Sequence, residues 1–289
     1  MSLGKPSENL KEDRAVSTKL FDLTGKVAVV TGGGANGGIG HAIALGFAQN
    51  GADVVVADID EEGAKLTGEE IERLGRKTLV VRFDISDPES VASLFSAADD
   101  AFGKVDILVN VPFAFPERMQ PHELSLAGWN KTLAVSLNGY FYCAQQAIRR
   151  MLDQGGGVIL NIGSIAGMSG MGRGNFPYSV AKGGVVQMTR ELAVEYARRG
   201  IRVNAILPAQ VMTPGFRKGL VEDPRFGKKL QERLISGIPL GRMLDPEDFV
   251  GAALLLCTDA GAAITGALLP VDGGNLAMNA GGNHTWPVE

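Results

Sequence analysis

The sequence predicts an α/β fold, a single doubly wound parallel sheet of about seven strands with helices on both faces, on three observations. Short apolar, β-branched runs such as Val27-Ala28-Val29-Val30 and Val54-Val55-Val56-Ala57 alternate with segments of helical length along most of the chain. These runs are apolar at consecutive positions, which suits strands covered on both faces. The first of them leads straight into a glycine-rich loop, Thr31 to Gly40, and from there into a helix.

Taken in order, residues 1–20 are polar and mixed in charge and are assigned no fold. Strand Val27 to Val30 and the glycine loop precede a helix from His41 to Asn50. Strand Asp53 to Asp58 follows, then a helix from Glu61 to Leu74 for which Asp60 is the better N-cap, leaving Asp58 free. Strand Thr78 to Phe83, helix 88–102 and strand Val105 to Asn110 complete the first half of the sheet. The second half reads as an apolar, proline-punctuated segment Pro112 to Pro121, one long helix from Trp129 to Met151, and strand Gly157 to Ile162. Helix Tyr178 to Arg199, strand Arg202 to Leu207 and a last strand near Ala267 to Val271 close it. The organisation expected is an N-terminal extension 1–20, one catalytic domain 21–275 with a flap at about 209–238, and a tail 276–289.

With 45% hydrophobic and 21% charged residues over 289 positions, the chain has apolar material for a large core. A net charge of −4 argues against nucleic acid or an anionic membrane as the main partner. No apolar run approaches the roughly 20 residues of a membrane span, and the first twenty residues lack a signal-peptide core. Cys143 and Cys257 sit in apolar stretches without metal-ligand spacing, so they read as buried reduced thiols. No metal is expected, and the expected compartment is cytoplasmic.

Three places carry chemistry. In the glycine loop, backbone N–H groups can approach a pyrophosphate at the start of a helix whose dipole favours negative charge. Asp58 ends the second strand, where a dinucleotide's adenosine ribose would lie; a carboxylate there accepts from the 2′- and 3′-hydroxyls and repels a 2′-phosphate. Residues 31–40 contain no Lys or Arg, and Asp60, Glu61 and Glu62 follow, so the cofactor expected is NAD. In Tyr178-Ser179-Val180-Ala181-Lys182, helical spacing stacks a phenol and an ammonium on one face, and the fixed charge favours phenolate, making Tyr178 a candidate proton carrier.

Tyr178 and Lys182, Asn161-Ile162-Gly163-Ser164 upstream, the loop Thr31 to Gly40 and Val271-Asp272-Gly273-Gly274 together resemble the short-chain dehydrogenase/reductase family, over roughly residues 20 to 275. The resemblance implies a Rossmann-type fold that moves hydride between NAD and a secondary alcohol or ketone. It assigns Ser164 to the substrate oxygen, Tyr178 to its proton, and Lys182 to the ribose and to favouring phenolate. It places Gly32, Asn36, Gly38 and Ile39 at the phosphates, Asp84 and Ile85 beside the adenine, Asn110 at the cofactor-facing end of the fourth strand, and Pro208, Val211 and Thr213 near nicotinamide and phosphate. It also implies a homotetramer.

The chain departs from the family's pattern in several places. The glycine loop has five residues, Gly33 to Gly37, where three are usual. Asn-Ala-Gly is replaced by Val111-Pro112-Phe113, so the turn there must have another shape. The asparagine that holds the catalytic lysine through water is matched by Ser136; Asn138, two residues on and roughly 200° around a helix, should point elsewhere. Ala209 replaces a glycine, and the interval from Ser164 to Tyr178 is one residue longer. Cations outnumber acids across Pro214 to Ile238, a pattern that hints at an anionic substrate but is better explained by a solvated helix face. Two alternatives stand beside the oxidoreductase: an NAD-binding sensor or scaffold without turnover, and an enzyme similar to the family's halohydrin dehalogenases, against which the glycine loop, Asp58 and Lys182 argue.

Overall fold

The computed structural model describes residues 19–34, 37–115, 117–172, 174–218 and 227–278. Seven strands form one sheet in the order β3-β2-β1-β4-β5-β6-β7: β1 (Val27–Thr31), β2 (Asp53–Asp58), β3 (Thr78–Arg82), β4 (Ile107–Asn110), β5 (Gly157–Ile162), β6 (Ile201–Pro208) and β7 (Leu268–Val271). Every neighbouring pair is parallel. The predicted architecture is the one observed.

Successive strand residues feed opposite layers, as the two-residue period of a strand requires. Ala28, Val30, Val54 and Val56 pack with Ile43 and Phe47 of α1 (Ile39–Gln49), Ile71 of α2 (Glu61–Arg73) and Leu256 of α8 (Val250–Cys257). Val27, Val29 and Val55 face the other layer, with Leu94 and Phe95 of α3 (Pro88–Phe102), Tyr140 and Cys143 of α5 (Gly139–Asp153) and Val185 of α6 (Phe176–Tyr196). The strand order reverses at β1, which pairs β2 on one side and β4 on the other. The crevice beyond the carboxyl ends of β1 and β4 is where open α/β sheets take ligands.

One predicted helix is not continuous. Between α4 (Leu126–Leu133) and α5 lies a π-helical segment, Ala134–Asn138. Such a wide turn interrupts the i to i−4 ladder and is often found where a helix serves a site. Ser136 at its centre is fully buried and Asn138 is exposed, the asymmetry expected from the helix register. Asp60 caps α2 through Gly63 N, as expected. The segment Gly227–Ile235 forms α7; the rest of the flap from 219 to 226, Asn36, and the tail from 279 lie outside the described residues.

Candidate active site

Lys182 is 1% exposed, an unusual place for an ammonium. Its Nζ donates to the carbonyl of Ile162 at 2.7 Å and to the hydroxyl of Tyr140 at 3.0 Å, and lies 5.9 Å from the ring centre of Tyr178. Loss of hydration disfavours the charge and brings the lysine down to about 7. Tyr178, one turn earlier on α6, is half-buried beside Ser164. Burial raises its phenol above the usual value, and the Ser164 hydroxyl beside it opposes that rise.

Ser164 is brought to this point by β5, two residues past its end. Its Oγ accepts from Ala166 N at 3.1 Å, capping a short turn, Ile165–Gly167. That turn rests on α6: a Cβ on Gly167 would stand 2.6 Å from the carbonyl oxygen of Lys182, so only glycine permits the approach. A buried amide chain fixes the underlying frame. Asn110 Nδ2 donates to Asn161 Oδ1, and Asn161 Nδ2 to Thr189 Oγ1 on α6, each at 3.0 Å, joining β4, β5 and α6. Ser164, Tyr178 and Lys182 therefore meet at the carboxyl ends of the central strands.

Ser136 sits nearby with a different partner. No hydrogen bond joins it to Lys182; its Oγ accepts from Ala114 N at 3.1 Å. Ser136 thus ties its helix to the loop after β4, and the side chain that meets the lysine directly is Tyr140, which sequence reasoning missed. The signal was available: positions 136 and 140 share a helix face. In the same loop Pro112 packs on Gly32, 3.1 Å from where a Cβ would stand. Phe113 meets Tyr178 edge-on with ring centres 5.8 Å apart, and Phe115 meets Phe113 at 4.8 Å. Both phenylalanines are exposed.

The lengthened glycine loop folds back onto the turn after β2. Gly34 N donates to Asp58 Oδ2 at 2.9 Å, while Asp58 Oδ1 accepts from Asp60 N at 2.9 Å. A Cβ on Gly34 would lie 2.7 Å from Asp58 Cβ, which accounts for glycine there. Asp58 thus anchors the loop and, with up to four lone pairs, keeps capacity for other donors. Arg82 of β3 stands beside it in strand register and is exposed, a cation the local sequence did not reveal.

Gly32 directly follows β1 with φ of 73°, and Gly38 and Ile39 open α1. Asp84 accepts from Ser86 N and Oγ, and Ile85 packs against Gly139. Pro208 ends β6; Val211 is buried and bridges Leu244, and Thr213 Oγ1 accepts from Phe216 N at 3.3 Å. Two buried acceptors lack any partner among the described residues: Asn110 Oδ1 at the end of β4 and Gln210 Oε1 beyond the end of β6. Unmet acceptors at these strand ends, with a glycine loop and a strand-end carboxylate, fit a ligand rich in hydroxyl and amide donors, as a nicotinamide dinucleotide is. Among the described residues no cluster could hold a metal ion, and no helix is long and apolar enough to cross a membrane.

Fold and site define a doubly wound α/β protein with a serine, tyrosine and lysine gathered beside a dinucleotide-type glycine loop. A family model described as enoyl-(acyl carrier protein) reductase matches residues 33–275. The cis-4-hydroxycyclohexanecarboxylate dehydrogenase of Sinomonas cyclohexanicum is 40% identical over 254 residues, covering 88% of this chain and 97% of its own. Among solved structures, carveol dehydrogenase from Mycobacterium avium in complex with NAD superposes with a TM-score of 0.81 at 27% identity, over 88% of this chain and 99% of that one. An Agrobacterium tumefaciens protein assigned as a 2-deoxy-d-gluconate 3-dehydrogenase, with bound NADP, gives 0.79 at 34%, over 89% and 99%. The chain belongs to the short-chain dehydrogenase/reductase family and is an oxidoreductase of CH–OH and C=O groups that uses a nicotinamide cofactor.

Proposed function

We propose that the protein interconverts a small secondary alcohol and its ketone with NAD(H), and that the substrate is apolar next to its carbinol carbon. The observation that carries the reading is the gathering of Ser164 and Tyr178 beside a buried Lys182, whose Nζ lies 5.9 Å from the Tyr178 ring centre. Bound NAD would take the hydride released from the carbinol carbon. Ser164 holds the substrate oxygen, and Tyr178 accepts the hydroxyl proton as the C=O bond forms; in reduction it returns that proton. Charged Lys182 lowers the cost of the phenolate beside it.

Asp58 supports NAD over NADP, because its carboxylate meets a 2′-phosphate with repulsion while remaining able to accept from ribose hydroxyls. Gly32, Gly38 and Ile39 would line the phosphates, with Asn36 as a further candidate. Asp84 and Ile85 would flank the adenine. Asn110, Pro208, Val211 and Thr213 would flank the nicotinamide half. The exposed rings of Phe113 and Phe115 beside Tyr178 support a ring-like or otherwise apolar carbon skeleton rather than a polyol. The alicyclic alcohol named for the Sinomonas relative agrees with that class.

Exposed Val180 and Val194 on α6 and Phe141 on α5 support self-association, for which a homotetramer is the family expectation. Two buried free thiols suit a reducing, cytoplasmic compartment. The test of the reaction is a panel of cyclic alcohols, open-chain polyols, 3-hydroxyacyl thioesters and steroid alcohols with NAD, and the matching ketones with NADH, followed at the nicotinamide absorbance. Turnover highest with cyclic apolar alcohols is the expected outcome. Saturable NAD binding without turnover on any of them would favour a sensor.

A further inference from the structure

The reading above leaves one buried polar group in contact with the site without a task, the phenol of Tyr140. The residue is fully buried at the start of α5, directly after the π-helical segment. Its hydroxyl donates to the carbonyl of Ile162 at 3.1 Å, the same carbonyl that Lys182 Nζ reaches at 2.7 Å. Nζ in turn donates to the Tyr140 hydroxyl at 3.0 Å, closing a triangle of three polar atoms at the carboxyl end of β5. A tyrosine hydroxyl has one proton and two lone pairs. With the proton committed to Ile162, only acceptor capacity faces the ammonium. Nζ also lies 4.6 Å from the centre of the Tyr140 ring, whose negative face attracts a cation.

Burial keeps this phenol neutral by pushing it well above the ordinary tyrosine value. The titratable groups beside the lysine are Tyr178 on its own helix and Tyr140 on α5, with Cys143 next to Tyr140, and burial raises the Cys143 thiol too. Among the described residues no carboxylate pairs with Lys182. Its charge is therefore held by neutral acceptors, of which Tyr140 supplies the only side chain.

We propose that Tyr140 is a positioning residue of the reaction: its hydroxyl holds the Lys182 ammonium in place and charged beside Tyr178, by direct contact, in the role that the family resemblance gives to residue 136 through a water. The inference rests on Tyr178 being the proton carrier. A tyrosine that merely filled space would affect stability but not proton transfer.

The test follows oxidation of the best alcohol from the panel above with NAD, from about pH 6 to 10, in Tyr140→Phe, Tyr178→Phe, Lys182→Met and the double variant Tyr140→Phe/Lys182→Met. Tyr140→Phe is expected to leave KM within about twofold, lower kcat about tenfold near neutrality, and move the rising limb of the profile up by about one pH unit. The sign follows from the contact: without the acceptor the lysine loses its proton more readily, and a less charged lysine stabilises phenolate less. In the Lys182→Met background the same change should add nothing. An unmoved limb in folded Tyr140→Phe, or an equal loss with and without Lys182, overturns the proposal. Free turnover by Tyr178→Phe overturns the proton-carrier reading and this inference with it; an inactive Tyr178→Phe beside a silent Tyr140→Phe sinks this inference alone. Should Tyr140→Phe fail to fold, 3-fluorotyrosine placed at position 140 keeps the packing and weakens the oxygen as an acceptor. A smaller upward displacement of the limb is then expected, and none overturns the proposal.

Discussion

Ser136 Oγ accepts a hydrogen bond from the backbone N–H of Ala114, 3.1 Å away, joining the π-helical segment to the loop that carries Phe113 and Phe115. Two departures from the family's pattern, at 111–113 and at 136, thus belong to one contact. A serine is short enough to meet the re-routed loop, and the loop in turn presents its aromatic rings to Tyr178.

Loss of that contact should act on substrate binding. Ser136→Ala leaves a buried N–H without a partner and should cost about 1–3 kcal/mol in denaturant unfolding. It should raise KM for the alcohol while leaving the pH profile in place, because Lys182 keeps its partners. Asn138→Ala, on the exposed side, should stay within about 0.5 kcal/mol and be kinetically silent. A pH profile displaced by Ser136→Ala would return Ser136 to the lysine.

Removing one hydroxyl separates chemistry from binding at Tyr178. Tyr178→Phe should keep NAD affinity within about threefold and lose at least a hundredfold in turnover. Ser164→Ala removes the hydroxyl that opposes the rise of the Tyr178 phenol, so the rising limb of alcohol oxidation should move to higher pH. Stopped-flow oxidation across the pH range measures both.

Asp58 should set the cofactor. NAD is expected to bind at least tenfold tighter than NADP, about 1.4 kcal/mol by calorimetry. Asp58→Ala should narrow the gap and also loosen the glycine loop, since Gly34 loses its acceptor. If Arg82 offers any grip on a 2′-phosphate, Arg82→Ala will weaken NADP alone. Equal affinities for the two cofactors in the unaltered protein would end the assignment.

The aromatic loop should select the skeleton. Phe113→Ala and Phe115→Ala should each lower kcat/KM for a cyclic apolar alcohol about tenfold and leave an open-chain polyol nearly unaffected. Equal losses on both substrates would assign these rings to folding.

Lys182 should also leave a mark on stability. A free lysine titrates near about 10.4, and the folded one near 7. Between those values the unfolded chain holds a proton that the folded, cofactor-free chain has lost, so folding without cofactor becomes more favourable as pH rises through the window. Lys182→Met should remove this dependence and stabilise the cofactor-free protein at neutral pH by on the order of a few kcal/mol, while lowering turnover to a small residual rate. The difference in melting temperature between the two proteins at about pH 7 and 9 isolates the effect from other titrating groups.

The sheet, its helices and the candidates Ser164, Tyr178 and Lys182 were legible in the sequence because each rests on local order: apolar runs of strand length, glycine where a loop must turn, and a four-residue spacing on one helix. Asp60 as a cap and the opposite fates of Ser136 and Asn138 were legible for the same reason. What the ammonium of Lys182 bonds to was not, since Tyr140 lies 42 positions away and reaches it only when α5 and α6 pack on the same face of the sheet. The partner of Ser136, the packing of Pro112 on Gly32 and the place of Arg82 beside Asp58 depend likewise on strand register and layer packing. Hydrophobic period and turn chemistry act over a few residues and are written in the chain, whereas buried polar atoms find partners among whatever the closed fold brings within about 3 Å, and that was decided by the tertiary structure alone.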